Sequence, residues 1–245
     1  MRDFESSTLW RISAFQRQRD AHGPLPFSRG EGPSLLSTTL LADLRRLELD
    51  PAAGDALEVV AACVRHREAA LVCLECPPWV WPLTLFPQQQ LYHAPRDLPE
   101  MQPPPRLAVL RVLGVERPGI RTPGHWLQER GAPGAGRYRP IEPLLWRLAM
   151  EGPRRRPLSE IGGRAAYRLA AGALETLPEA GGALRMVISR LKQETAALKS
   201  IAVWPGMSLE RASRLLNALY LVGALRVSRS HPAARDEPLP RWWQP

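Results

Sequence analysis

The sequence predicts an α+β protein of two modules. An N-terminal module with two helices and a small antiparallel sheet precedes a mainly helical C-terminal module ending in a winged helix-turn-helix. Three observations predict this. Apolar residues recur at helical spacing between residues 37 and 66. Short runs rich in Val, Leu and aromatics, bounded by turn residues, fill residues 69–94. Helical periodicity returns at residue 141 and closes on helix, tight turn, helix, glycine and strand.

Residues 1–33 read as an N-terminal arm or short edge strand and a linker, because HGPLPFSRGEGPS sets three prolines and three glycines where a regular element would break. The α/β module covers 34–118. Its first helix carries Leu40, Leu41, Leu44 and Leu47 on one face with Ser37 as cap; its second carries Leu57, Val60, Ala61 and Val64 with Asp55 as cap. AALVCLEC, WVWPLTLF and LYHA then read as strands, with RLAVLRVLGV as a fourth. Pro82 lacks an N–H to donate, which should confine its run to a sheet edge or a bulge.

The turn-rich stretch ERPGIRTPGHWLQERGAPGAGRYRP marks a linker over 119–140. A helical module follows over 141–230. Ile141, Leu144, Leu145 and Leu148 form a stripe that Gly152-Pro153 ends. Helical patterns continue through RAAYRLAAGALETL and GALRMVISRLKQETAALKSIAV. Residues 231–245 hold four of the 26 prolines and read as a loose tail.

The chain has 245 residues, 33 Lys+Arg against 24 Asp+Glu, and a net charge of +9. Such a balance favours nucleic acid, anionic lipid or an acidic partner. Lysine occurs only at Lys192 and Lys199, however, and an arginine bias beside abundant Ala, Pro and Gly follows as readily from a GC-rich coding sequence. Three cysteines make no disulfide framework and fit a reducing cytoplasm. MRDFESSTLWRISAFQRQRD has no uninterrupted apolar run, so it does not read as a secretory signal. No apolar stretch approaches the roughly 20 residues that span a bilayer, so no membrane partner is expected.

Cys63 and His66, with Cys73 and Cys76, supply three thiolates and an imidazole, the ligand set of a closed zinc site. Against it, Cys63 and His66 fall on a helix, and a separation of three along a strand sends Cys73 and Cys76 to opposite faces. No cofactor is expected, and these four remain the zinc candidates. His93 and Asp97 are acid-base candidates at a strand exit, but no nucleophile motif completes a site. His125-Trp126 has no second histidine at ligand spacing. GAPGAGRY has Gly131 and Gly136 at phosphate-loop separation, yet Arg137 and Tyr138 stand where lysine and a hydroxyl are required. It and Gly162-Gly163 read as turns, and the arginines at 154–156 as a solvated turn.

The best-formed motif is TAALKSIAVWPGMSLERASRLLNALYLVGALRVS. A helix through Ile201 meets Trp204-Pro205-Gly206, and Ser208 caps a second helix carrying Leu209, Ala212, Leu215, Leu216 and Leu219. Its outer face would present Glu210, Arg211, Arg214, Asn217 and Ala218, with Arg226 and Arg229 on the wing. Arginine and asparagine read base edges, so Arg211, Arg214, Asn217, Arg226 and Arg229 form the candidate DNA-binding set. Glu210 and Ala218 make this face less basic than that of a strong DNA reader. Trp79, Trp81 and Tyr92 form a candidate partner-binding set around an otherwise core-forming aromatic run.

The helix followed by AALVCLE, WVWPLTLF and LYHA, ending at His93-Ala94, resembles the PATAN-type domain of bacterial signalling proteins. SLERASRLLNALYLVGAL is similar to the winged-helix-like segment that often follows it. The chain departs from that pattern in lacking a glycine-rich hairpin before LYHA. The resemblance implies a bacterial regulatory or adaptor protein in signal transduction that works by protein contacts, with no catalytic residues to carry over. The expected partner is therefore a protein, with self-association left open. A winged-helix DNA-binding regulator is the alternative, and a zinc-binding or hydrolytic enzyme the third class.

Overall fold

Helical stripes and apolar runs become mixed helix and antiparallel sheet in the computed structural model, which describes residues 9–22, 36–49, 56–101, 105–129, 131–132, 134–173, 177–178 and 180–234. The chain divides into two units, residues 1–141 and 142–245.

In the first unit the chain runs through β1 (Trp10–Arg11), α1 (Ile12–His22), α2 (Thr38–Leu49), α3 (Ala56–His66), β2 (Ala70–Cys76), β3 (Trp79–Phe86), β4 (Leu91–His93), β5 (Arg111–Glu116) and β6 (Tyr138–Pro140). The strands form one sheet in the order β5-β2-β3-β4-β6, with β1 also on β3. Every pairing in it is antiparallel.

β2 is buried at nearly every residue, which is why its sequence is a continuous apolar run rather than an alternation. On one face Phe15 of α1 packs with Leu71, Cys73 and Val80. α2 starts where expected: the Ser37 hydroxyl accepts from the Leu40 amide at 3.3 Å. Both Ser37 groups in turn bind the Glu68 carboxylate after α3, its amide at 2.7 Å and its hydroxyl. The proposed cap Asp55 lies outside the described residues.

Pro82 shows how a proline enters a strand inside the sheet order. β2 pairs with β3 along its whole length, but on the other side β1 reaches only residues 79–80 and β4 only 84–86. Among the described residues no strand faces 81–83 there, so the missing N–H leaves no described neighbour unsatisfied. The expected edge is local.

The linker expected over 119–140 is corrected at its end. Tyr138–Pro140 pairs with β4 as β6, and Tyr138 packs against Phe86, His93 and Trp126. The Tyr138 hydroxyl also donates to the Arg121 carbonyl at 2.5 Å. The stretch is turn-rich, but three aromatics hold it on the sheet.

The second unit contains α4 (Ile141–Glu151), which begins at the boundary, then β7 (Ala166–Leu169), α5 (Gly182–Gln193), β8 (Ala196–Ala197), α6 (Leu198–Ala202), α7 (Leu209–Leu221) and β9 (Leu225–Ser228). The predicted stripe of α4 is buried. Gly152 closes the helix, since any Cβ there would sit 2.2 Å from the Leu148 carbonyl oxygen.

Two helical expectations are overturned. RAAYRLAA contains a strand, β7, whose partners β8 and β9 flank it on either side. The long helix expected through Ile201 stops at Gln193, and Ala196–Ala197 leaves it to pair with β7. Alanine favours helices, but in this place tertiary pairing outweighs intrinsic propensity. The tail expectation over 231–245 falls mostly on residues that are not described; Pro232–Ala234 form a short 3-10 turn with Ala234 buried.

Candidate functional site

Helix α6, the turn Trp204–Gly206 and helix α7 are built as the local sequence dictates. Ser208 accepts from the Arg211 amide at 3.1 Å, closing the first turn of α7. Gly206 takes φ +74°, and a Cβ there would lie 2.5 Å from the Ala183 Cβ, so the turn rests directly on α5. Farther along α5, the Arg190 guanidinium stacks over the Trp204 ring at 4.2 Å.

The face of α7 expected to read bases is largely occupied by the chain itself. Asn217 is fully buried, which corrects its expected exposure. Its Oδ1 accepts from the Leu158 amide at 2.8 Å and its amide group donates to the Arg156 carbonyl at 3.0 Å. Arg214 retains 15% exposure: it pairs with Glu210 at 3.1 Å and donates to the Met150 carbonyl at 2.6 Å. Ala218 is buried too. Arg229 donates to the carbonyls of Glu160, Gly162 and Arg164. Three of the five candidate DNA contacts thus satisfy main-chain groups of residues 150–164. Arg211 remains exposed, with one donor on the Gly206 carbonyl at 2.8 Å, and Arg226 remains exposed on β9.

The arginine run at 154–156 belongs to the same arrangement and is only partly solvated. Arg154 is buried and donates to the Arg156 and Pro157 carbonyls, whereas Arg155 stands 76% exposed. A segment without regular structure needs its backbone groups satisfied when it is buried. Arg154, Asn217, Arg214 and Arg229 meet that need here.

The exposed apolar groups of the second unit collect around the same turn. Val203, just before Trp204, is 83% exposed; Met186, on α5 between the two residues that meet the turn, is 60% exposed; Leu209 opens α7 at 38%.

In the first unit the aromatic candidates are mostly interior. Trp81 is fully buried with its indole N–H on the Arg96 carbonyl at 3.1 Å. Tyr92 is buried and donates to Asp97 at 2.7 Å. Trp79 is half-buried beneath Arg11, whose guanidinium lies 5.9 Å from the ring centre. The expected aromatic surface is reduced to that one ring.

The acid-base candidates do not form a pair. Asp97 caps a short 3-10 turn in a box with Glu100 and receives the Tyr92 hydroxyl. His93 is buried edge-on to Tyr138, and burial, then Arg137 and Arg139, lowers its pKa to about 4. The candidate zinc ligands are dispersed. His66 meets Asp43 at 2.6 Å instead. Burial pushes the thiols of Cys63 and Cys73 up to about 12 and that of Cys76 to about 11. Among the described residues no three His, Cys, Asp or Glu side chains are grouped to hold a metal ion.

Among the described residues no helix is long and apolar enough to cross a membrane. No protein-family model, curated protein or solved structure matches the chain.

Proposed function

We propose that the chain is a regulatory or adaptor protein that acts by binding a protein partner through the turn between α6 and α7. In this reading residues 182–228 are a winged-helix-like module used for docking. Its third strand position is filled from upstream: β7 lies between β8 and β9.

The observation that carries the reading is the exposure of Val203, next to that turn, and of Met186, on the helix the turn rests on, at 83% and 60%. Large apolar side chains standing in water cost free energy that a partner surface would recover, at about 25 cal/mol per Å² buried. The DNA alternative loses support on the same helix, because Asn217 and Arg214 are committed to main-chain carbonyls. The resemblance to PATAN-type regulatory proteins points to the same kind of work.

The test is photocrosslinking in cells from position 203 of the full chain, with position 185, exposed on α5, as control. The expected result is a discrete protein adduct from 203 that Met186→Asp abolishes without changing unfolding. Arg211→Ala should leave it intact. Duplex DNA binding at physiological salt would overturn the reading if Arg211→Ala weakened it and its log-log salt slope came to about 0.9 per phosphate.

A further inference from the structure

Strands β7 and β9 pair in a register that sets Arg168 directly opposite Arg226. Both side chains point outward, while Tyr167 and Leu169 on β7 are buried behind them. Like charges facing each other across a strand pair destabilise a sheet. An acidic neighbour normally offsets this, yet among the described residues no carboxylate lies within ion-pair distance of either guanidinium. The exposed Lys192, at the end of α5, adds a third cation, and its carbonyl receives an Arg168 N–H at 3.4 Å.

These three cations line one cavity of about 390 Å³ in the second unit, together with Leu169, Ala170, Ala171 and Gly172. That volume falls within the range of small-molecule sites, roughly 300–1,000 Å³. Gly172 takes φ +76°, a left-handed conformation that suits glycine.

We infer that this cavity is a binding site for a small organic phosphate, held through its phosphate by Arg168, Arg226 and Lys192. A phosphate carries close to two negative charges and several acceptor oxygens, so it can take the planar donor forks of two arginines at once and still meet an ammonium. A carboxylate has one charge and fewer oxygens to divide among three cations. The remaining lining residues are apolar or small, which suits the compact organic part of such a molecule. A nucleic-acid strand would need a longer basic track, and the other candidates Arg214 and Arg229 are spent on main-chain carbonyls. The inference uses none of the residues of the α6–α7 turn and does not depend on the proposed partner.

Calorimetric titration of the full chain with inorganic pyrophosphate at constant ionic strength tests it. The expected result is one saturable site, weakened at least about tenfold in Arg168→Gln and in Arg226→Gln, with Arg155→Gln unchanged. The two arginine variants relieve a like-charge pair, so their thermal unfolding should match or exceed that of the parent chain. Three results would overturn the inference: no saturable binding up to about 10 mM pyrophosphate, binding by the two arginine variants as tight as that of the parent chain, or duplex DNA binding that needs both arginines but is not displaced by pyrophosphate. The last would make the cations part of a nucleic-acid contact.

Discussion

Asn217 on α7 and Leu158 in the loop after α4 are 59 positions apart, and the Asn217 carbonyl oxygen accepts the Leu158 amide at 2.8 Å. With its second bond, to the Arg156 carbonyl, this one side chain satisfies a buried donor and a buried acceptor. Asn217→Ala leaves both unpaired and should destabilise the second unit by about 2–4 kcal/mol. Urea denaturation of the full chain measures this, and hydrogen exchange at α7 locates it. Unchanged unfolding together with lost DNA binding would restore Asn217 to a base-reading role.

Glu116 ends β5 opposite Leu71, with one carboxylate oxygen buried and without a hydrogen-bond partner among the described residues. Burial raises its pKa from 4.5 to about 7. Between those values the folded chain holds more protons than the unfolded one, so stability is full below about pH 4.5 and is lost as pH rises towards 7. Glu116→Gln should remove this loss and make the first unit more stable at pH 8 than the parent. Denaturation at pH 5 and pH 8 checks it; a parent and variant with the same pH dependence would show that Glu116 stays charged at no cost.

The architecture was legible wherever burial imposes a period. Ile141, Leu144, Leu145 and Leu148 fall on one face of α4 because only that face is covered, and their spacing shows it. β7 was not legible, since RAAYRLAA has the composition of a helix and only the register with Ala197 and Ser228 makes it a strand. The candidate site failed for a related reason. Periodicity separates the faces of α7 but does not reveal that residues 150–158 lie over one of them, so Arg214 and Asn217 looked free. The Arg168–Arg226 pair was equally hidden: Arg226 was a candidate by itself, and its cross-strand neighbour belonged to a stretch read as helix.

His93, in the same unit as Glu116, has the opposite sign. Its pKa falls from 6.5 to about 4 through burial and then Arg137 and Arg139, so the unfolded chain binds the proton first. Stability from this group is full above about pH 6.5 and is lost as pH falls to 4. From 4.5 to 6.5 the two groups oppose each other, which should hold the parent's stability nearly level. Glu116→Gln should expose a stability that rises with pH, and His93→Leu one that falls. Two variants with the same slope in this window would contradict the assignment of either group.

Gly206 sets the height of the turn that carries Val203. Alanine at this position would need φ +74° and would bring its Cβ to 2.5 Å from that of Ala183. The left-handed backbone costs about 1–2 kcal/mol for an L side chain, and overpacking adds about 1–3 kcal/mol. Gly206→Ala should therefore lower stability by about 2–5 kcal/mol, measured by urea denaturation. Ala183→Gly removes the clash but not the backbone strain, and by itself costs about 1 kcal/mol of helix propensity. The double variant should thus be more stable than the sum of the single changes. Strict additivity would mean that α5 and the turn do not bear on each other, and the apolar surface spanning them, from Met186 to Val203, would lose its support.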